Sequence, residues 1–306
     1  MVWKNEKMVL AGKKAHITKL KNLGRIEEAK KLEESLINID ALDVQVRGQD
    51  LKPVKIVYDV AHVRVETDSS LPWVEKYRPI TLADLIGEVS PFLRAFVKTD
   101  SFPMAFVFFG DYGQGKTAAA GAFIRDYFVN QGVFRPEATF ADVLHGRHWS
   151  EVYEGCWSPV LYIDATIDSD VDMIRDRVLN FMKVRSVWNS AGLKLKKFVL
   201  FDEADRLGYA AQGVLRSLLE KYPGTITIYT TNRVESVDPA IISRASGGVF
   251  EFKKPSKESL IEHLREILRL EGKSLSSQVV EEMAVGSRSV REAVGRLQQI
   301  VALESV

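Results

Sequence analysis

The chain has 306 residues, 46% apolar and 27% charged, enough to build one or two cored domains and too apolar for a disordered tail. Its 42 Lys and Arg nearly balance 41 Asp and Glu, so overall charge gives no reason to expect a polyanionic partner, and any such contact must come from a local patch. Cys156 is the single cysteine, which excludes an intrachain disulfide. No apolar run reaches the ~18–20 residues of a membrane span, and the opening MVWKNEKMVL lacks a signal-peptide core. An intracellular protein, cytoplasmic or nucleoid or nuclear, is expected.

Residues 1–50 read as two short helices: Ile17, Leu20, Leu23 and Ile26 recur at helical spacing, Gly24 offers a break, and Ala29, Leu32 and Leu36 continue. Lys4, Lys7, Lys13, Lys14, Lys19 and Lys21 make this stretch basic, as a solvated face or as a docking arm. Residues 53–66 alternate apolar and polar (Val54, Ile56, Tyr58, Val60, then Val63 and Val65), which predicts a strand or hairpin, and Thr67–Pro72 reads as a linker. Residues 1–70 are thus expected to form a helical and β extension.

From Trp73 the pattern alternates helix and strand. Ala105–Phe109, Val160–Ile163, Phe198–Phe201 and Ile226–Thr230 are short apolar or β-branched runs with longer amphipathic segments between them. This predicts an α/β fold over 71–254, a parallel sheet flanked by helices. Beyond Pro255 the period is helical only, with Leu260, Leu264, Ile267 and Leu268 on one helix and Val290, Val294, Leu297 and Val301 on another. Residues 255–306 are expected to form a small helical lid domain.

The strand Ala105–Phe109 runs into Gly110-Asp111-Tyr112-Gly113-Gln114-Gly115-Lys116-Thr117 and then a good helix former beginning at Ala118. This is G-x-x-x-x-G-K-[ST] in its strand–loop–helix setting. Glycines let backbone N–H groups wrap around phosphate oxygens, and the helix N-terminus adds partial positive charge. Gly110, Gly113, Gln114, Gly115, Lys116, Thr117 and Ala118 are therefore the expected ATP contacts, Lys116 on the β- and γ-phosphates and Thr117 on Mg2+. Lys197–Phe201 ends in Asp202-Glu203, where Asp202 would hold magnesium and Glu203 would polarise the attacking water.

These elements, with those around them, resemble the small subunits of clamp loaders, the replication factor C type of AAA+ ATPase. Trp73-Val74-Glu75-Lys76-Tyr77-Arg78-Pro79 is similar to that family's N-terminal box, which implies that Val74, Tyr77 and Arg78 lie near the adenine. Leu85-Ile86-Gly87, residues 163–181 and the DEAD at 202–205 follow in the family's order. The resemblance implies that Asn232 is the sensor-1 residue, which orients the attacking water or contacts the γ-phosphate. It also implies that Arg244 of Ile242-Ser243-Arg244 acts in trans on a neighbouring subunit, and that Arg291 is the lid's sensor-2 arginine, with Arg288 as competitor. Self-association or pairing with related AAA+ subunits is then part of catalysis, and DNA and a sliding clamp are the implied partners.

Some positions depart from the family. Ala245 replaces the motif cysteine, and Asp164 stands where the family commonly has an Asn that restrains the catalytic glutamate; a carboxylate cannot donate that bond unless protonated. Residues 131–158 offer His145, His148 and Cys156 without a fourth ligand, so a plain insertion loop is expected rather than a zinc module. The sequence ends at Val306, where the family continues into a collar domain, so a truncated sequence or a different mode of assembly is expected. Arg175, Arg177, Lys183 and Arg185 lie on or just after the helix that faces DNA in the family, and Lys194, Lys196 and Lys197 follow. They form a solvated face or a phosphate-gripping patch. Two functions fit the whole: an oligomeric, DNA-stimulated ATPase that loads a clamp, or a nucleotide-gated DNA-binding regulator of the initiator, helicase-loader or transposition type. A P-loop small-molecule kinase gives no reason for Arg244 or for a sensor-bearing lid.

Overall fold

The structure is a computed structural model that describes residues 71–145, 158–168, 170–183 and 195–304. The expected extension over 1–70, Arg185, Lys194, His148 and Cys156 lie outside these residues.

In chain order the elements are α1 (Trp73–Lys76), α2 (Ser90–Thr99), β1 (Ala105–Phe109), α3 (Lys116–Asn130), α4 (Phe140–His145), β2 (Val160–Asp164) and α5 (Val171–Lys183). They continue with β3 (Lys197–Asp202), α6 (Tyr209–Lys221), β4 (Thr225–Thr231), α7 (Pro239–Arg244), β5 (Val249–Glu251), α8 (Lys257–Leu270), α9 (Ser277–Gly286) and α10 (Val290–Glu304). The strands form one sheet in the order β2-β3-β4-β1-β5, with every neighbour parallel. The four expected strands are present. β5 is an addition that the sequence reading did not give, and so is α9 inside the lid.

Alternate residues of each strand face opposite sides, so the sheet sorts its apolar side chains into two cores. On one side Phe106, Phe108, Phe198, Leu200, Ile226 and Ile228 pack with Phe123 and Tyr127 of α3. On the other, Val107, Val199, Phe201 and Tyr229 meet Ile174 and Val178 of α5 and Leu215 of α6. Each such side chain contributes roughly 1.5–3 kcal/mol by leaving water, and α3 is buried nearly all round. Burial on both faces explains why the strands read as continuous apolar runs rather than alternating ones.

Part of the stretch expected to be a plain insertion is built into this core. Phe134, Ala138 and Val143 are buried, and Arg125 of α3, itself fully buried, donates to the Ala138 carbonyl at 2.9 Å. Arg125 also pairs with Asp126 at 2.6 Å, and Asp126 accepts the Leu82 N–H at 2.9 Å. Charges this deep persist only when paired and hydrogen-bonded. Among the described residues no group of three or more His, Cys, Asp or Glu could hold a metal ion, and no helix is long and apolar enough to cross a membrane.

The lid helices start on side-chain caps: the Ser256 hydroxyl accepts from Ser259 N–H, and Ser276 accepts from Val279 N–H. Leu260, Leu264, Ile267, Val280, Met283, Leu297 and Val301 form its core, and Trp73 of α1 is buried among them. Three bonds fix that docking. The Trp73 N–H donates to Gln298 Oε1 at 2.9 Å, and the Lys76 amine and the Tyr77 hydroxyl both donate to Glu271 Oε1 at 2.6 Å. The box before the sheet therefore packs with the lid after it.

Candidate nucleotide site

Strands β1, β3 and β4 end on the same edge of the sheet, where crevices in parallel α/β sheets form. β1 delivers the glycine-rich loop, β3 delivers Asp202 and Glu203, and β4 delivers Thr230, Thr231 and, just beyond, Asn232. Gly110 has φ +139°, and a Cβ there would lie 2.3 Å from the Phe252 carbonyl oxygen. Gly113 has φ +72°, and its Cβ would lie 2.7 Å from Ser289 Oγ of the lid. Both positions need glycine: one for the turn out of β1, the other for the close approach of loop and lid.

Lys116 is 8% exposed. Its amine donates to the carbonyls of Gly110 and Asp111, each at 2.8 Å, and to Asn232 Oδ1 at 3.0 Å. Burial lowers its pKa from the usual lysine value, against the opposing pull of Asp202, Asp111, Asp205 and Glu203. An amine desolvated among three neutral oxygens is poised to receive an anion, whose charge would compensate for the hydration that burial has removed. At the foot of α3 the Thr117 hydroxyl donates to Asp202 Oδ1 at 2.7 Å. Thr230 donates to the same oxygen, and the Tyr162 hydroxyl donates to Oδ2 at 3.0 Å. A hydroxyl and a carboxylate held this close are the hard oxygen donors that suit Mg2+, which keeps most of its water and takes one or two protein ligands.

Glu203 is held at φ +52°, in the left-handed region, and its N–H donates to Thr230 Oγ1 at 3.2 Å. That conformation costs a non-glycine residue about 1–3 kcal/mol, a strain that concentrates at working sites. Its side chain lines the cleft with Asp202, Asn232, Lys116 and Arg291. Gly113, Gln114, Gly115, Thr117 and Ala118 line it from the loop side; Val74, Tyr77, Arg78, Ile86 and His263 line the end away from β3. Burial lowers the His263 pKa, with Asp84 and Glu266 acting in the opposite direction. The loop and lid are joined directly: Gln114 Nε2 donates to the Arg288 carbonyl at 3.0 Å, and the Arg291 N–H donates to the Gly113 carbonyl at 3.3 Å. Arg291 thus stands in the cleft, whereas Arg288 serves it through its backbone.

Other expected residues lie elsewhere. Arg244, at the end of α7, is ion-paired with Glu220 and donates to the Ala240 carbonyl at 2.7 Å. Asp164 does not reach Glu203. Its Oδ1 accepts from the Thr166 N–H at 2.9 Å and the Thr166 hydroxyl at 2.6 Å, closing its own turn. The patch on α5 is interleaved with acids: Arg175 meets Asp172 at 2.9 Å and Asp176 at 3.1 Å, and Arg177 pairs with Asp168. Lys183 ends that helix, and Lys197 turns inward to the Phe181 carbonyl and ring. Burial there brings the Lys197 pKa down to about 8.

The sequence reading missed Tyr162 and the hydroxyl of Thr230 as partners of Asp202. The period-2 face that Tyr162 shares with Asp164 on β2 was the available signal.

A glycine cradle, a buried lysine, a hydroxyl–carboxylate pair and C-terminal helices bonded to the glycine loop define a P-loop nucleotide-binding module of the AAA+ type. Residues 106–251 match the ATPase family associated with various cellular activities (AAA). Replication factor C subunit 3 of Blastobotrys adeninivorans is 31% identical over 248 residues, 78% of this chain and 64% of that protein. Replication factor C small subunit of Methanococcus maripaludis is 29% identical over 236 residues, 76% of this chain and 65% of that protein. The RuvB Holliday junction branch migration motor of Thermotoga maritima shares the fold, with a TM-score of 0.54 at 15% identity over 75% of this chain and 66% of that one. This chain has the AAA+ P-loop fold and resembles replication factor C small subunits, and it spans just under two thirds of the length of those relatives.

Proposed function

We propose that the chain binds and hydrolyses ATP as one subunit of an oligomer acting on DNA, in the manner of a clamp-loader small subunit. The observation that carries this is the convergence of Lys116–Asn232 and Thr117–Asp202 on one cleft, in a chain about 30% identical to replication factor C subunits. Residues 71–254 form the nucleotide-binding domain in this reading and 255–306 the lid.

The base would lie against Val74, Tyr77 and Arg78. Lys116 would exchange its carbonyl partners for phosphate oxygens, which frees Asn232 to face the γ-phosphate. Thr117 and Asp202 would hold Mg2+, which supplies charge neutralisation between the phosphates. Glu203 would take up the proton of the attacking water, and Arg291 would stabilise the γ-phosphate from the lid. Arg244 would release Glu220 and enter a neighbouring subunit's cleft, where such an arginine contributes about 10³–10⁵ in rate.

The test is ATP turnover by the assembled protein, alone and with primer–template DNA and a sliding clamp. Stimulation by both together is expected. Slow turnover with ATP-dependent filaments or rings, indifferent to a clamp, would replace this reading with the nucleotide-gated regulator.

A further inference from the structure

The strongest unassigned feature lies beside the magnesium pair, on β2. The carboxylate of Asp202 is held by hydroxyls from three separate elements: Thr117 of α3 and Thr230 of β4 on Oδ1, and Tyr162 of β2 on Oδ2. Tyr162 is opposite Leu200 in the β2–β3 register, two residues short of the position opposite Asp202, and its hydroxyl reaches diagonally to the acid. The ring packs against the core that contains Phe198 and Leu200, which fixes where the hydroxyl points.

We propose that Tyr162 is a positioning residue for the metal-binding carboxylate: its hydroxyl fixes the rotation of Asp202 so that Oδ1 faces Thr117. The inference rests on the ATP–Mg2+ reading of the cleft. Donors on one oxygen alone would leave the carboxylate free to swing about its Cβ–Cγ bond. A donor on each oxygen removes that freedom. Groups that orient a metal ligand in this way typically contribute about 10–100-fold to metal affinity. Tyr162 shares the task with Thr230, so the lower end of that range is expected. The same phenol also occupies Oδ2, leaving Oδ1 as the oxygen presented at the foot of α3.

The test is Tyr162→Phe, which keeps the ring and removes only the donor. Binding of a fluorescent ATP analogue is followed as MgCl2 is raised, and separately in EDTA. The magnesium concentration for half-maximal effect should rise about tenfold, while affinity in EDTA changes less than about twofold. Mn2+ should show a shift in the same direction. An unshifted magnesium titration overturns the proposal. So does an equal loss of affinity with and without magnesium, which would assign Tyr162 to packing alone. If the variant melts early, the same titrations at 10 °C, with the EDTA affinity as internal reference, decide the matter. A wild-type protein whose nucleotide binding ignores magnesium would instead remove the reading of the whole site.

Discussion

The cleft at the ends of β1, β3 and β4 and the outer face of α5 both carry concentrated charge, and they treat it in opposite ways. In the cleft, Lys116 is buried, and four carboxylates surround it without a salt bridge to any of them; its amine bonds only neutral oxygens. On α5, Arg175 is taken up by Asp172 and Asp176 within one turn, and Arg177 by Asp168, nine residues back in the loop before the helix. Charge left uncompensated in a desolvated crevice is a demand for a ligand. Charge compensated on an exposed helix is solubility, worth about 0–1 kcal/mol per pair.

The sharpest way to break that contrast is at the shared arginine. Arg244→Ala should bind ATP with wild-type affinity and lose about 10³-fold or more in hydrolysis by the assembled protein, read by phosphate release; full turnover would refute an intersubunit role. Glu203→Gln comes next. It should retain ATP binding and slow hydrolysis by about 10²–10⁴, trapping ATP in a form that survives gel filtration. Lys116→Ala should weaken ATP binding by about 100-fold or more in calorimetry, since it removes a desolvated cation facing phosphate. Unchanged affinity there would show that the cradle is not the phosphate site.

On α5 the effects should be small. Arg175→Ala should change DNA affinity by less than about threefold, because its charge is already spent on Asp172 and Asp176. Asp176→Asn should strengthen binding and steepen its salt dependence, by up to about one unit of slope. A large loss on Arg175→Ala would restore this face as a phosphate grip.

The smallest effect concerns the lid. Burial would raise the Glu271 carboxyl, but bonds from Lys76 and Tyr77 outweigh it and hold the pKa below its ordinary 4.5. A depressed carboxylate stabilises above its unfolded-state pKa and loses that contribution as pH falls through the lower folded-state value. Glu271→Gln should therefore lower the melting temperature by about 2–4 °C at pH 7, for about 1 kcal/mol. The difference should shrink as pH falls below 4.5. A gap that held constant into strong acid would mean that the charge is not what matters.

The parts of the site legible in the sequence are those whose chemistry is local. Gly110 and Gly113 are required by their own backbone angles, Lys116 and Thr117 by their place at the start of a helix, and Asp202 by the end of an apolar strand. The four longer strands announced themselves because both of their faces are buried. β5 has only three residues and no period to read. The Tyr162–Asp202 bond depends on the register of two strands nearly forty residues apart and on a diagonal reach, neither of which spacing reveals. The basic run on α5 is ambiguous in sequence for the reverse reason. Arg175, Arg177 and Lys183 read as a patch by count, whereas the pairing of the two arginines with Asp172, Asp176 and the more distant Asp168 is visible only in side-chain geometry. Asp164 as a carboxylate has no hydrogen to offer Glu203, and its use in closing the turn at Thr166 is a matter of local folding that spacing does not show.

Trp73 sits in the hydrophobic interior of the last three helices, with Gln298 and Glu271 fastening the residues around it. The start and the finish of the described chain are thus spliced into one piece, and the sheet is threaded between them. A tug on the polypeptide just ahead of Trp73 would be felt at Arg291 through α10, without passing through the strands.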